Sequence, residues 1–107
     1  MFRKNGTAES RQLAEGVELT VLVHGEKTLM GQFKIAGGSE IPSHSHPHEQ
    51  TGIVISGRLR FNVAGDIFEA GPGDSWCLVG GVEHSAEALE EAVVVEVFSP
   101  VREDYLP

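Results

Sequence analysis

The sequence has little cysteine and few basic residues. Cys77 is its only cysteine, so no internal disulfide can form, and its neighbours Trp76 and Leu78 predict a small buried apolar side chain. Eight Lys and Arg residues stand against sixteen Asp and Glu residues, and the formal net charge is -8. Because nucleic-acid affinity comes mainly from basic side chains on phosphates, we expect no nucleic-acid partner. After Lys34, an anionic substrate must meet one of three arginines: Arg58, Arg60 and Arg102.

Long apolar runs are missing as well. No stretch is long enough for a membrane span or a signal peptide, so we expect no membrane association and a cytoplasmic location. The 107 residues are typical of one domain, and 40% apolar residues can fill one core, which excludes a disordered chain. We therefore expect residues 1–107 to form a single domain.

Thirteen glycines lie mostly between short runs of alternating or β-branched residues. Such runs, joined by glycine-rich turns at short and even spacing, are typical of an all-β jelly roll or small barrel. Residues 8–15 and 87–92 contain good helix formers without a sustained apolar stripe, so at most one short helix is expected. Eight strands are predicted: Val17–His24, Thr28–Ala36, Gln50–Ile55, Arg58–Val63, Ile67–Ala70, Ser75–Val79, His84–Leu89 and Val93–Phe98.

Histidines are clustered in one short segment. Three of the five histidines fall within residues 44–48. In an extended chain His44 and His46 point to the same side, and Gln50 shares their parity. Imidazoles about 7 Å apart along a strand can converge on one ion, which predicts a metal site. The alternative is a solvated histidine loop.

A single carboxylate interrupts the apolar strand near the C-terminus. Alternation places Val94, Glu96 and Phe98 on one face of this strand. A buried carboxylate is costly unless it is paired, binds an ion or has a raised pKa for proton transfer. Glu96 is therefore the best catalytic candidate. The alternative is a solvent-facing glutamate on an edge strand, which would resist aggregation.

Two motifs with fixed separations surround the histidines. The first resembles the first cupin motif, with Gln in place of the usual Glu: Gly38, His44, His46, Gln50 and Gly57. The second resembles the second cupin motif, with Val in the usual proline position and Ala where Asn is frequent: Gly73, Val79, Gly80, Gly81, His84 and Ala88. Together they cover residues 38–88, and the resemblance implies a cupin double-stranded β-helix, which is a jelly-roll barrel.

The cupin resemblance also implies a set of metal ligands. They are His44, His46, Gln50 and His84, which would hold one divalent transition metal ion, either Ni, Mn, Fe or Zn. All four are neutral, so a bound ion would keep its full charge, and two positions of an octahedral ion would stay open. His48 shares the ligand parity and could replace Gln50, although the preceding proline favours a place behind the ligands or on the surface.

The C-terminal segment, residues 92–107, narrows the resemblance. Three segments resemble the pectin-degradation cupins that linearise unsaturated monouronates. They are Phe98-Ser-Pro-Val-Arg-Glu-Asp-Tyr105 in the C-terminal segment, His44–Gln50 with its Gln ligand, and Gly71–Asp74. These enzymes convert 4,5-unsaturated galacturonate-type or mannuronate-type rings into linear keto acids. The resemblance implies catalytic roles for Glu96, Phe98 and Arg102, with the family's usual aspartate replaced by the longer Glu96.

Alternatives remain for the function and for these residues. Arg102 could be in an ordinary salt bridge and Phe98 could be plain core. A metal-dependent dioxygenase uses a similar three-histidine site, and a non-catalytic sugar-binding cupin is a third reading. Small cupins usually associate, so we expect a homodimer, with the strands Val17–Val23 and Thr28–Ile35 available for its interface. Tyr105 and Leu106 are expected to anchor the tail on a neighbouring surface.

Overall fold

The fold consists of ten β-strands and one short 3-10 helix in a computed structural model that describes residues Met1–Pro107. The strands are β1 (Ser10–Ala14), β2 (Val17–His24), β3 (Leu29–Ile35), β4 (Glu40–His44), β5 (Glu49–Ser56), β6 (Leu59–Val63), β7 (Asp66–Ala70), β8 (Ser75–Leu78), β9 (His84–Ala88) and β10 (Ala92–Ser99). The 3-10 helix spans Glu103–Tyr105. The all-β prediction is confirmed, and no α-helix forms.

The strands make two antiparallel sheets. One has six strands in the order β1-β2-β3-β10-β5-β8, and the other has four in the order β4-β9-β6-β7. Alternate residues of each strand point between the sheets, as the two-residue period of a strand requires. On β10 the inward residues Ala92, Val94, Glu96 and Phe98 are all buried. The two inner faces enclose the core of a jelly-roll barrel, as predicted.

Two of the ten strands were not predicted from the sequence. Every residue of β1 is exposed, so its sequence lacks the apolar alternation that marks a strand, and its helix formers gave a misleading signal. Strand β4 contains Pro42 and has no buried residue. Both strands lie at sheet edges, where one ladder and little burial suffice to hold them.

Cys77 differs from its prediction, because its side chain is exposed. It lies on β8, the edge strand of the larger sheet, between the part-buried Trp76 and the buried Leu78. Since successive side chains of a strand alternate, the apolar neighbours mark the inner face and Cys77 takes the outer one. Its Sγ atom lies 3.4 Å from Oε1 of Glu49.

The C-terminal tail folds back on its own barrel. Tyr105 and Leu106 pack against the hydrophobic core. Arg11 of β1 donates hydrogen bonds to the backbone carbonyls of Asp104, at 2.9 Å, and Leu106, at 3.2 Å. The tail is thereby fixed beside the mouth of the barrel. Among the elements of the fold there is no helix long and apolar enough to cross a membrane.

Candidate metal centre and its cavity

Three histidines from different parts of the chain meet at one end of the barrel. His44 ends β4 and His84 begins β9, and the two are cross-strand partners. His46 follows in the connection between β4 and β5. One ring nitrogen of each histidine lies within 4.8 Å of the others, so the three rings could hold a metal ion. The prediction that His44, His46 and His84 come together is thus matched by the geometry.

Backbone carbonyls orient all three rings. Nδ1 of His44 faces the carbonyl of Pro42 at 2.8 Å, and Nδ1 of His84 faces that of Val82 at 2.9 Å. Nδ1 of His46 faces the carbonyl of His48 at 3.0 Å. A hydrogen bond from Nδ1 fixes the tautomer in which Nε2 carries the lone pair, as metal-binding histidines require. All three Nε2 atoms are thereby available as ligands.

Gln50 completes the group from β5. Its side-chain amide donates from Nε2 to Glu96, so its Oε1 atom faces the histidines and lies 3.0 Å from Nε2 of His46. With the amide in this orientation, both ring nitrogens of His46 face oxygen acceptors, but a neutral ring has only one proton. A cation bound between Nε2 of His46 and Oε1 of Gln50 would satisfy both atoms.

Two further features fit a divalent metal. Nε2 of His84 is buried without a hydrogen-bond partner, although buried polar atoms are normally paired. Burial lowers the pKa of His46, aided by the charges of Arg102 and His84, and burial also lowers the pKa of His84. Both rings are therefore kept in the neutral form that binds metal. The donor set of three imidazoles and an amide oxygen suits a first-row transition metal.

The glycine turn before β9 holds the histidine segment in place. The backbone N–H of Gly81 donates to the carbonyl of His46 at 2.8 Å. Gly80 lies directly against the backbone of Pro47, and a Cβ atom at Gly80 would overlap the Pro47 carbonyl oxygen. The second motif therefore supplies one candidate ligand, His84, and also supports the loop that carries His46.

His48 and Glu49 lie outside the ligand group. The ring centroid of His48 is 5.6 Å from that of His46, and the His48 backbone carbonyl orients the His46 ring. Glu49 is exposed. Of the two residues considered for the fourth ligand position, Gln50 places a side-chain oxygen 3.0 Å from Nε2 of His46, whereas His48 binds the other ring nitrogen of His46 through its backbone carbonyl.

Glu96 is buried beside this cluster, with only 7% of its surface exposed. It lies on β10, which is a central strand, so the edge-strand alternative is wrong. Its Oε2 atom accepts hydrogen bonds from Nε2 of Gln50 and, at 3.0 Å, from Nε1 of Trp76. Burial raises the pKa of Glu96, and the hydrogen bonds from Gln50 and Trp76 oppose that rise.

Arg102 is also buried, at 8% exposure, and lines the same cavity. Its Nε and Nη2 atoms donate to the two carboxylate oxygens of Asp104, at 3.1 and 2.8 Å. Its guanidinium carbon lies 4.0 Å from the ring centroid of Tyr105 and 5.2 Å from that of Phe98. The salt bridge weighed from the sequence is thus present, and the arginine faces the cavity as well. The other two arginines, Arg58 and Arg60, are half exposed and contact Glu69.

Phe98 is buried in the core and also lines the cavity. Its ring centroid lies 6.0 Å from that of His46 and 5.4 Å from that of Tyr105. The core reading and the site reading of Phe98 are therefore compatible. The sequence did not reveal the roles of three residues of the site: Trp76, Asp104 and Tyr105. Trp76 contacts Glu96, which is distant in sequence. Asp104 and Tyr105 contact Arg102, whose own place in the cavity had to be known first.

The cavity is continuous with an outer cleft. The inner space has a volume of about 40 Å³, which is room for one water molecule or an ion. Outside it lies a cleft of about 370 Å³ between the edge strands β1 and β4. His44, Arg102 and Tyr105 line both spaces. The cleft has the size of a small-molecule site, and it reaches His44 of the histidine cluster.

Comparison with known proteins settles the family. A family model described as the cupin domain matches residues 31–99, more than half of the chain. The chain belongs to the cupin family. This cupin is similar over almost its full length to an RmlC-like cupin from Shewanella frigidimarina, with 27% identity, a TM-score of 0.94 and coverage of 98% of this chain and 95% of that one.

A second solved structure is equally similar. KdgF from Halomonas sp. is 27% identical to this cupin, with a TM-score of 0.94 and coverage of 99% of this chain and 98% of that one. The oxalate decarboxylase of Lactobacillus farciminis is 22% identical, with a TM-score of 0.78 over 88% of this chain and 31% of that one. The latter comparison shows the shared fold alone.

Proposed function

We propose that this cupin converts 4,5-unsaturated monouronates, derived from pectin or alginate, into linear keto acids. The observation that carries the proposal is one cavity lined by a buried carboxylate, a buried guanidinium and two histidines, with a third histidine in the same cluster: Glu96, Arg102, His44 and His84, with His46. The resemblance of the Gln50 segment and of the C-terminal tail to the pectin-degradation cupins gives the same substrate class.

The proposed metal ligands are His44, His46, Gln50 and His84. A divalent transition metal held by these neutral groups would supply Lewis acidity toward a substrate oxygen. The chain contributes the orientation of the ligands, through the backbone carbonyls that face each Nδ1 atom. Burial also lowers the pKa of His46 and of His84, so protons compete less strongly for these two nitrogens.

Arg102 would bind the substrate carboxylate. Its guanidinium binds Asp104 through Nε and Nη2, so Nη1 takes no part in that salt bridge. Arginine and carboxylate form strong charge-assisted hydrogen bonds with a defined geometry. Because Arg102 lines both the cavity and the outer cleft, it would hold the uronate where the two spaces meet.

Glu96 would move the proton. The substrate is a cyclic hemiacetal with an enol-ether double bond, and its opening is an isomerisation with no change in composition. The hemiacetal hydroxyl loses its proton, the bond between the hemiacetal carbon and the ring oxygen breaks, and the electrons of that bond stay on the oxygen as an enolate. The enolate becomes a ketone when the other carbon of its double bond gains a proton. A carboxylate that accepts the first proton can deliver the second, and burial suits this because it raises the pKa of Glu96.

Phe98 and Tyr105 would form the apolar side of the site. Their rings pack edge to face and flank the Arg102 guanidinium. The inner cavity is too small for a sugar ring, so the ring would lie in the cleft with its reacting edge toward the histidines. In this position the aromatic rings exclude water from the reacting bonds.

Two substitutions test the assignment of roles on unsaturated galacturonate. Glu96→Gln should lower kcat by about 100-fold or more, the scale of a lost general acid or base.

Arg102→Lys should mainly raise KM, because lysine keeps the charge but loses the planar fork. Arg60→Lys, an exposed arginine outside the cavity, is the matched control for the second change. Metal content should be unchanged in all three variants.

Wild-type turnover in Glu96→Gln would remove Glu96 from the mechanism. If the wild-type protein does not accelerate the reaction with any reconstituted metal, the proposal fails. Oxygen consumption with iron would then test the dioxygenase alternative, and substrate binding without turnover would identify a sugar-binding cupin.

A further inference from the structure

Trp76 is a part-buried residue at the edge of the larger sheet. It lies on β8, and its ring packs 4.7 Å from that of Phe61, between centroids. It lines the inner cavity together with Glu96 and Gln50. No role in the site followed from the sequence, where Trp76 stands twenty residues before Glu96.

Three residues form one row across the larger sheet. Glu96 on β10 pairs with Gly52 on β5, and Gly52 pairs with Trp76 on β8. Glu96 and Trp76 are thus two strands apart, which is about 10 Å between backbones. Their side chains nevertheless meet, because the indole N–H lies 3.0 Å from Oε2 of Glu96.

Gly52 makes this contact possible. A Cβ atom at Gly52 would lie 2.6 Å from both Cε2 and Cζ2 of Trp76 and 2.7 Å from its Nε1 atom. The indole therefore occupies the space that any other residue at position 52 would fill. Glycine is required here for space, and it lets a side chain from β8 reach across β5 to β10.

The hydrogen bonds of Glu96 are asymmetric. Both donors, Nε1 of Trp76 and Nε2 of Gln50, bind the same oxygen, Oε2. Oε1 receives no hydrogen bond from a side chain of the protein. One oxygen is therefore anchored by two donors, and the other has no side-chain donor.

We propose that Trp76 is a positioning residue, whose indole N–H anchors Oε2 of Glu96 so that Oε1 faces the substrate, and that Gly52 makes room for it. This inference rests on the proposed function for its kinetic consequence, and on the geometry alone for the hydrogen bond. A carboxylate that has lost this donor and is held by Gln50 alone would spend less time in the reactive geometry, so the loss falls on kcat and not on KM.

The kinetic test compares Trp76→Phe with Phe61→Leu, both in metal-loaded protein. Trp76→Phe keeps an aromatic ring but removes the donor, and kcat for unsaturated galacturonate should fall about 10-fold with little change in KM or metal content. Phe61→Leu disturbs the same packing contact without touching Glu96, and its kcat should stay within about 2-fold of the wild type. Wild-type kcat in Trp76→Phe, or equal losses in both variants, would overturn the inference.

Gly52→Ala provides an independent route to the same effect. The added methyl group should displace the indole and lower kcat as Trp76→Phe does. Combined with Trp76→Phe, it should cost little more than either change alone, because both remove one interaction. Fully additive losses would contradict a shared cause.

A spectroscopic test does not depend on turnover. Trp76 is the only tryptophan, so the ¹⁵N-labelled protein has one indole N–H signal. In metal-free protein this signal should move upfield and exchange faster with solvent in Glu96→Ala than in the wild type. An unchanged signal would refute the hydrogen bond. If the wild type proves inactive on uronates while the signal responds as expected, the proposed function fails and the anchoring of Glu96 by Trp76 stands.

Discussion

Gln50 illustrates how one side chain can serve two neighbours. Its amide presents an oxygen to the histidines and an N–H group to Glu96. A glutamate, the usual cupin residue at this position, has no proton to donate when ionised, and it would place a second negative charge against the buried Glu96. The amide is therefore the group that fits both sides of this position.

Gln50→Glu should separate metal binding from turnover. A carboxylate is a stronger ligand than an amide, so metal affinity should rise, while kcat should fall by about 10-fold or more because Glu96 loses a donor and gains a like charge. Competition with a chromophoric chelator and steady-state kinetics measure the two effects. Glu49→Gln, an exposed neighbour of Gln50, is the control and should change neither. A faster Gln50→Glu enzyme would contradict this assignment.

The raised pKa of Glu96 makes a prediction about stability. The folded protein binds this proton more tightly than the unfolded chain does, so its contribution to stability is fully present below the ordinary pKa of 4.5. It is lost as the pH rises from that value through the raised folded pKa. In metal-free protein, Glu96→Gln should therefore gain free energy of unfolding relative to the wild type between pH 4 and pH 8. Urea denaturation at several pH values measures the difference, and a constant difference would show that Glu96 titrates normally.

Site residues in motifs with fixed spacing could be predicted from the sequence, whereas contacts between distant strands could not. His44, His46, Gln50 and His84 could be chosen from motif spacing, and the cluster of the three histidines followed. The partners of Glu96 could not be chosen, because they depend on the register of β10 with β5 and of β5 with β8. The inward direction of Cys77 was wrong because apolar neighbours in a strand lie on the opposite face.

At the scale of elements, the histidine segment depends on the turn before β9. Gly80→Ala should displace the Pro47 backbone and with it His46, and lower metal affinity by about 10-fold to 100-fold, as changes behind metal ligands usually do. The far-ultraviolet circular dichroism should remain that of a β-protein. Gly25→Ala is the matched control, since a Cβ atom there meets nothing within 4 Å. Unchanged metal affinity in Gly80→Ala would show that the loop holds its shape unaided.

The strands that were predicted and the strands that were missed differ in burial. Strands β2, β3 and β10 bury alternate residues, so their periodicity was readable. The edge strands β1 and β4 bury none. Their pairing depends on the rest of the fold, and these two strands frame the cleft that leads to the site.

The interface of the expected homodimer can be narrowed to one part of the larger sheet. The buried residues of β2 and β3 face the core, so these strands offer a partner only their outer side. On the outer side, Met30 pairs with Val97 of β10. Val95, two residues before Val97 on the same strand, pairs with Ile53 of β5. Met30 and Ile53 remain 36% and 40% exposed, which leaves an apolar patch available for a second copy.

Met30→Glu should convert the homodimer into a monomer, because it places a charge in this patch. Asn62→Asp, on the outer face of β6 in the other sheet, adds the same charge away from the patch and should leave the dimer unchanged. Sedimentation velocity across a range of concentrations measures both. A wild-type monomer at all concentrations would contradict the expected assembly.

The most direct measurement is the loss of enol-ether ultraviolet absorbance when unsaturated galacturonate is mixed with the metal-loaded protein. Chelated protein and substrate alone set the rate of spontaneous ring opening. We expect acceleration above that rate, abolished by chelation and restored by a divalent transition metal. Equal rates with and without the loaded protein, for every metal that the site binds, would contradict this expectation.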